Sequence, residues 1–317
     1  MANILLTQKC NQKCPYCFAS YNEGNDYISK ENFVKAIKFL KKTPGEKIGL
    51  LGGEPLLHPE FAELCNILNE DRDIRDVVVF TNGILLDKYF DCFMSMKYAF
   101  LINCNERAFY APKIWERLRK NIEEIVHRVT PDNVLLGLNI YKTNMDIDAL
   151  LELSATLAIK KLRISLVIPN SVNAATQRSQ FDELKPELFR VYERCVKIGV
   201  IPQFDCNQIP LCFYSKEDIA FIKTLFGSSL NSTNILQVER ACRPVIDIYP
   251  DLTACRCFGA TDIRLKLSNY RNARDLKNAF ISLIDKNFYG RICRAECANC
   301  YLNQTLNCMG GCFSYNI

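Results

Sequence analysis

Histidine is nearly absent from this chain: among 317 residues there are only His58 and His127. Catalytic zinc usually keeps histidine ligands, so metal chemistry here would have to run on thiolates, which favours iron–sulfur. No stretch approaches 18 consecutive apolar residues, which argues against a membrane-spanning helix. The N-terminus, Met1-Ala2-Asn3-Ile4-Leu5-Leu6, lacks a basic n-region and a cleavage site, so secretion is not expected and a cytoplasmic setting is. No basic run is interleaved with aromatics. The 40 basic and 35 acidic residues leave a mild charge of +5, which suits an acidic peptide or cofactor and does not demand nucleic acid. Internal repeats, a low-complexity tail and a Gly-x-Gly-x-x-Gly turn behind a strand are all missing. The hydrophobic fraction of 49% and charged fraction of 24% are ordinary for a globular protein.

Cysteine, by contrast, is abundant, with 17 copies. Disulfides are rare in a reducing cytosol, and clustered cysteines there read as metal ligands. Cys10, Cys14 and Cys17 follow the order Cys-x3-Cys-x-aromatic-Cys, with Tyr16 as the aromatic. Three thiolates on a short loop hold three irons of a four-iron cluster and leave the fourth open to a small molecule. On spacing alone, the alternatives are incidental thiols or a zinc site short of its fourth ligand. Further on comes Leu51-Gly52-Gly53-Glu54-Pro55. Two glycines let the backbone approach a ligand closely, and a carboxylate can receive an ammonium group.

Short apolar runs alternate with amphipathic stretches from residue 3 to about 170. Strands are expected at Ile4–Leu6, Lys47–Leu51, Val77–Phe80, Tyr98–Ile102, Val134–Leu138 and Leu162–Ile168. Helical spacing links Phe33, Ile37 and Leu40 behind the N-cap residue Ser29. It also links Ile114, Leu118, Ile122, Ile125 and Val129, and then Leu184, Leu188, Val191, Cys195 and Ile198. Six strands alternating with helices predict a parallel α/β fold, and barrel-like members place chemistry at the C-terminal strand ends. A doubly wound sheet is the competing architecture. Residues 171–179, polar and small, read as a mobile loop. The strand-end asparagines Asn103 and Asn139 are either ligand contacts or turn and cap residues.

Eight of the cysteines fall between Cys242 and Cys312, in a span too small for a large apolar core. Metal would supply much of its folding free energy. Cys242 and Cys257 flank a hairpin-like segment. Cys297-x2-Cys300 and Cys308-Met309-Gly310-Gly311-Cys312 follow on tight turns. A structural zinc knuckle is the alternative. Cys65, Cys92 and Cys195 lie at helical apolar positions and read as buried small hydrophobes, while Cys104 is ambiguous.

The segment from Cys10 to Phe18 resembles the cluster loop of the radical S-adenosylmethionine (radical SAM) enzymes, and Leu51 to Pro59 resembles their Gly-Gly-Glu-Pro segment. The resemblance implies a partial (β/α)6 barrel and a [4Fe-4S] cluster on Cys10, Cys14 and Cys17. Its open iron is chelated by SAM, and one electron then yields a 5′-deoxyadenosyl radical that takes a hydrogen from substrate. It further implies that Tyr16, Gly52, Gly53, Glu54, Asn103, Asn139 and Arg163 line the SAM site, with Glu54 on the amino group, Asn103 near the ribose and Arg163 facing the carboxylate.

The C-terminal end resembles the SPASM domain, which carries auxiliary [4Fe-4S] clusters. Leu252 departs from that pattern where glycine is usual. The gap between Cys300 and Cys308 is longer than in relatives, and a final cysteine is missing because the chain stops at Ile317. One auxiliary cluster is then expected on Cys293, Cys297, Cys300 and Cys308. The other falls on Cys242, Cys257 and Cys312, with Cys212, Cys206 or Cys255 as fourth ligand, or an open iron. Because an S–H bond is weak, Cys206 and Cys212 are also candidate hydrogen-atom donors.

Three parts follow: a radical SAM partial barrel over 1–200, a bridging segment over 201–240 and a SPASM-like domain over 241–317. The expected substrate is a peptide, undergoing cross-linking, thioether formation or epimerisation. A small-molecule dehydrogenase or mutase, or an electron-transfer or scaffold protein, are the alternatives. With the first strand at residue 3, no leader-gripping domain precedes the barrel, so a separate leader-binding protein is an expected partner. An external donor of the flavodoxin or ferredoxin type is another.

Overall fold

In the computed structural model, the described residues are 1–17, 26–93, 97–167, 174–204, 208–236, 242–286, 297, 299–305, 307–308 and 310–312. They divide into two units that interleave along the chain. The first comprises Met1–Asn103, Tyr110–Leu135 and Pro244–Ile281. The second comprises Cys104–Phe109, Leu136–Arg243 and Ser282–Ile317.

The expected alternation of strand and helix is present. In chain order, the first unit begins with β1 (Ala2–Thr7), α1 (Lys30–Lys41), β2 (Ile48–Gly52), α2 (Phe61–Glu70), β3 (Val77–Thr81), β4 (Tyr98–Cys104) and α3 (Pro112–Val129). There follow β5 (Val134–Ile140), α4 (Asp148–Thr156), β6 (Lys161–Leu166), α5 (Ala174–Lys197), β7 (Ile201–Phe204) and α6 (Lys216–Phe226). The last elements are β8 (Ile246–Ile248), β9 (Thr253–Cys255), β10 (Leu265–Lys266), α7 (Ala273–Phe280) and α8 (Tyr301–Gln304). In the first unit the strand order is β10-β9-β8-β1-β2-β3-β4, and in the second it is β5-β6-β7. β1 pairs in parallel with both β2 and β8, and β2–β3, β3–β4, β5–β6 and β6–β7 are parallel as well. The fold is therefore α/β and predominantly parallel.

Local chemistry accounts for several boundaries. The Ser29 hydroxyl accepts from the Asn32 N–H at 3.2 Å and caps α1, worth about 1 kcal/mol. Phe33, Ile37 and Leu40 are buried on its inner face. Along β3 and β4, Val77, Val79, Tyr98, Phe100 and Ile102 are buried while Val78, Phe80, Ala99, Leu101 and Asn103 are half-buried. Phe93 packs edge-on against Phe61 of α2 and against Tyr98 and Phe100, sealing the buried face. The half-buried face is left for the site.

Some expectations need correction. Ile114 is 37% exposed, so the buried stripe of α3 starts at Trp115 and continues through Leu118, Ile122, Ile125 and Val129. The loop expected over 171–179 is helical from Ala174 onwards, with Gln177 buried. Neither Gly nor Pro interrupts Ala174–Ser179, so nothing in it opposes α5. The segment 201–240 contains β7 and α6, the latter opened by a reciprocal Ser215–Asp218 capping box.

The expected hairpin near Tyr249 is β8–β9. At its turn, Leu252 has φ +63°, a left-handed conformation that favours glycine. This is the position where the C-terminal pattern departs from glycine. Asp247 of β8 is buried and accepts from the Asn3 side-chain amide at 2.6 Å. Burial pushes its carboxyl up to about 7, against the Asn3 amide and the Phe258 N–H, which pull it down. The folded pKa thus lies above the unfolded one, so this carboxyl's contribution is fully present below about pH 3.8 and is lost as the pH rises through 7. Wild-type unfolding free energy should therefore fall relative to Asp247→Asn, by up to ~1.4 kcal/mol per pH unit between those limits. Denaturant titrations of both proteins at pH 5 and pH 8 check this. An identical gap at the two pH values would refute it.

Candidate active site

β1 ends at Thr7, and the chain then enters the cysteine loop. The loop is seated on the glycine turn by main-chain bonds: Gly53 N–H donates to Thr7 O at 2.9 Å, and Glu54 N–H to Lys9 O at 2.8 Å. A methyl group on Gly53 would sit 2.4 Å from Lys9 O and 2.5 Å from Gln8 O, so no side chain fits there. The two glycines therefore serve this backbone-to-backbone approach within the protein.

Glu54 is fully buried. One carboxylate oxygen accepts from the Thr81 hydroxyl at 2.8 Å and the Leu56 N–H at 3.1 Å, and the other accepts from the Asn82 N–H at 2.7 Å. Burial pushes its pKa up to about 7, while the three donors pull it down. The carboxylate that the resemblance assigns to the SAM amino group thus anchors the end of β3 and caps the short helix Pro55–Leu57. Thr81 and Asn82 were not singled out by sequence reasoning. The signal available was their place at the end of a predicted strand, before Gly83.

Within the loop, Gln12 N–H donates to Cys10 Sγ at 3.4 Å, Cys14 Sγ donates to Gln12 Oε1 at 3.7 Å, and Cys17 N–H donates to Cys14 O at 3.1 Å. Burial raises the Cys10 thiol to about 11, and the charges of Glu54, Cys14 and Cys17 add to this. A Cys10 thiol and a Glu54 carboxyl that both resist ionising suit a cationic centre, which would reverse that electrostatic balance. The donor set fits an iron–sulfur cluster. Among the described residues, no three His, Cys, Asp or Glu side chains are grouped as ligands in the metal-free chain. Tyr16 OH accepts from the Asn103 side-chain amide at 3.0 Å, which brings that aromatic to the end of β4.

In the second unit, Arg163 Nη1 donates to Asn139 Oδ1 at 2.9 Å, and Arg163 Nε is buried with no hydrogen-bond partner among the described residues. A half-engaged guanidinium suits an anionic group such as a carboxylate. At the ends of β4 and β5, buried Glu106 accepts from Tyr141 OH, Lys142 Nζ and Asp146 N–H, a strand-end cluster that the sequence did not reveal.

Buried His58 accepts at Nδ1 from Glu60 N–H, so its Nε2 donates to Ile28 O at 2.8 Å.

Cys255 and Cys257 lie in the first unit, and Cys212, Cys242, Cys297, Cys300, Cys308 and Cys312 in the second. Cys255 packs against Leu5, Leu51 and Tyr249, and burial raises its thiol to about 12. Half-buried Cys257 accepts from Arg256 Nη1 at 3.7 Å. Cys242 is half-buried. Cys300 N–H donates to Cys297 O at 3.1 Å, and the Asn303 amide, one turn later, donates to Cys308 O at 3.2 Å, which ties these three together. Gly310 N–H donates to Cys308 Sγ at 3.4 Å. Cys312 N–H donates to Gln208 O at 2.8 Å, bringing it to the segment that carries exposed Cys212. Cys206 and Cys293 lie outside the described residues. Cys65, Cys104 and Cys195 are buried and Cys92 is half-buried.

Among the described residues, no helix is long and apolar enough to cross a membrane.

Residues 4–100 match the family model for the Radical SAM superfamily. The chain is 27% identical over 194 residues to a probable GTP 3′,8-cyclase of Methanocaldococcus jannaschii, covering 60% of this chain and 61% of that protein. It is 32% identical over 88 residues to the GTP 3′,8-cyclase of Aquifex aeolicus, covering 26% and 28%. It spans less than two thirds of the length of these curated relatives. In structure it is similar to Streptococcus suis SuiB bound to S-adenosylmethionine, with a TM-score of 0.62 at 14% identity, covering 99% of this chain and 72% of SuiB. SuiB bound to its precursor peptide SuiA gives the same score, covering 99% and 71%. At that identity the likeness shows the fold, which is that of SuiB. The cysteine loop and the glycine turn that seats it both lie within residues 4–100, the part of the chain that matches the Radical SAM superfamily.

Proposed function

We propose that this radical SAM enzyme takes a hydrogen atom from a peptide. The observation that carries the reading is the extent of the two likenesses. Resemblance to SuiB in fold runs over 99% of the chain, whereas the sequence matches to the two GTP 3′,8-cyclases cover 60% and 26% of it. When bound, the cluster and SAM supply one-electron cleavage of SAM and the hydrogen-abstracting power that follows.

The chain's own residues have distinct tasks in this reading. Cys10, Cys14 and Cys17 hold the cluster. The Gly52–Gly53 turn presents main chain beside it, and Glu54 fixes that turn to the end of β3. Arg163 offers Nε to the SAM carboxylate, with Asn139 orienting the guanidinium. Tyr16 and Asn103 complete the SAM surroundings as a hydrogen-bonded pair. The cysteines from Cys242 to Cys312 would hold auxiliary clusters able to take up the electron released on cross-linking, and Cys206 or Cys212 would return a hydrogen atom only where the product is an epimer of unchanged mass. An external low-potential donor supplies electrons, and a separate protein presents the peptide.

A second reading, chemistry on a small molecule such as GTP, is favoured by the 27% identity that extends over 60% of the chain. The two separate in one experiment. Reconstituted protein is mixed with SAM and dithionite, together with either GTP or a precursor peptide encoded beside the gene. 5′-Deoxyadenosine should form, and its yield should rise with the peptide, whose mass falls by about two hydrogens on cross-linking. Turnover of GTP with no change in the peptide would overturn the peptide reading. Absence of 5′-deoxyadenosine under every condition would remove both.

A further inference from the structure

We infer that Asn82 is a positioning residue that ties the cysteine loop to the rigid end of β3. The inference rests on the reading of that loop as the cluster site.

Asn82 is 7% exposed, and its backbone N–H, side-chain oxygen and side-chain nitrogen each have a different partner. The N–H donates to Glu54 Oε2 at 2.7 Å. Its Oδ1 accepts from Ile84 N–H at 3.1 Å. Its Nδ2 donates to Asn11 Oδ1 at 2.7 Å. The first two partners belong to a stiff frame. Gly83 has φ +75°, and a methyl group there would meet Leu118 Cδ1 at 2.7 Å and Ile102 Cγ2 at 2.8 Å, so the turn is pressed onto α3 and β4. From α3, the buried Asn121 amide donates to Gly83 O at 2.8 Å and Ile84 O at 3.1 Å, holding the turn from behind.

Asn11 is different. It is exposed and sits between Cys10 and Gln12, whose N–H donates to Cys10 Sγ. A bond between a rigid buried amide and an exposed loop side chain places the loop and leaves the frame unmoved. Asn82 thereby sets where Cys10 stands relative to the Glu54 turn, through Asn11.

A double-mutant cycle tests this. It uses Asn82→Asp, which keeps the Ile84 acceptor but removes the donor, with Asn11→Ala and the pair together. One readout is the rate of Cys10 alkylation in the metal-free protein, followed by peptide mapping. A second is the rate at which reconstituted protein loses iron to a chelator, with the electron paramagnetic resonance spectrum of the reduced cluster recorded with and without SAM. Each single variant should speed alkylation and iron loss by a similar factor, roughly 2- to 12-fold, the equivalent of one net hydrogen bond. The pair should do no more than either alone. Unchanged rates in the single variants, or factors that multiply in the pair, would overturn the inference. Asn11→Ala touches only an exposed side chain, so the cycle keeps a readable arm if the Asn82 variant folds poorly. The alkylation arm needs no cluster. A wild-type protein that binds no iron would defeat the proposed function while still returning an answer here.

Discussion

Cys14→Ala is expected to abolish reductive cleavage of SAM while leaving the fold intact. Cys14 is the middle of three thiols on one loop, and the loop supplies no fourth cysteine between Cys10 and Cys17 to replace it. With two thiols the cluster loses the ligand set that leaves a single iron open. The side chain is half-buried, and its bond to Gln12 Oε1 is a weak thiol one. Stability should therefore change by no more than about 0.5 kcal/mol. 5′-Deoxyadenosine, measured by chromatography after dithionite addition, should fall below detection, with an unchanged unfolding midpoint. Cleavage at the wild-type rate would place the open iron elsewhere. The Cys10/Cys14/Cys17 triple-alanine protein extends the test. Iron and sulfide remaining after reconstitution report the auxiliary clusters proposed on the C-terminal cysteines, and none remaining would remove that part of the proposal.

Glu54→Ala carries the second large effect, chiefly on stability. The carboxylate is fully buried and satisfies the Thr81 hydroxyl, the Leu56 N–H and the Asn82 N–H. Alanine leaves all three donors buried without that acceptor. Each costs about 1–3 kcal/mol, so a loss of roughly 3 kcal/mol or more is expected. Glu54→Gln should fall between, since its oxygen still serves two donors while its amide opposes the Asn82 N–H. Denaturant unfolding of the metal-free protein, without SAM, measures this. A purely ligand-binding role predicts the opposite division: unchanged stability without SAM, and SAM affinity reduced by about 1.5–3 kcal/mol. Both losses together would mean that Glu54 is a structural anchor whose removal also spoils the neighbouring site.

What was legible in the sequence is local. The spacing of Cys10, Cys14 and Cys17, the glycine turn at Gly52–Gly53 and the apolar runs of β1 to β6 each lie within a few residues. Chain connectivity alone keeps such groups together, so the loop chemistry and the α/β class could be read before any packing was known. The hairpin-like segment between Cys242 and Cys257 was legible for the same reason, because backbone conformation is set by immediate neighbours.

Tertiary structure decided everything that joins residues distant in the chain. β7 escaped notice because Ile201-Pro202-Gln203-Phe204 is short and contains proline. β8 lies beside β1, where Ala2, Asn3 and Ile4 pair with Ile246, Asp247 and Ile248 some 244 positions away and the Asn3 amide bonds to Asp247. The task of Glu54 was equally hidden. A Gly-Gly-Glu turn shows in one dimension only part of its bonding, and the approach of Thr81 and Asn82 shows which protein donors its carboxylate also holds. The sequence by itself determined which groups can carry the chemistry, because a residue's type and near spacing set its bonding capacity. Folding decided which of those groups stay available to a ligand, because burial and long-range partners consume hydrogen-bonding capacity that no linear pattern can allot.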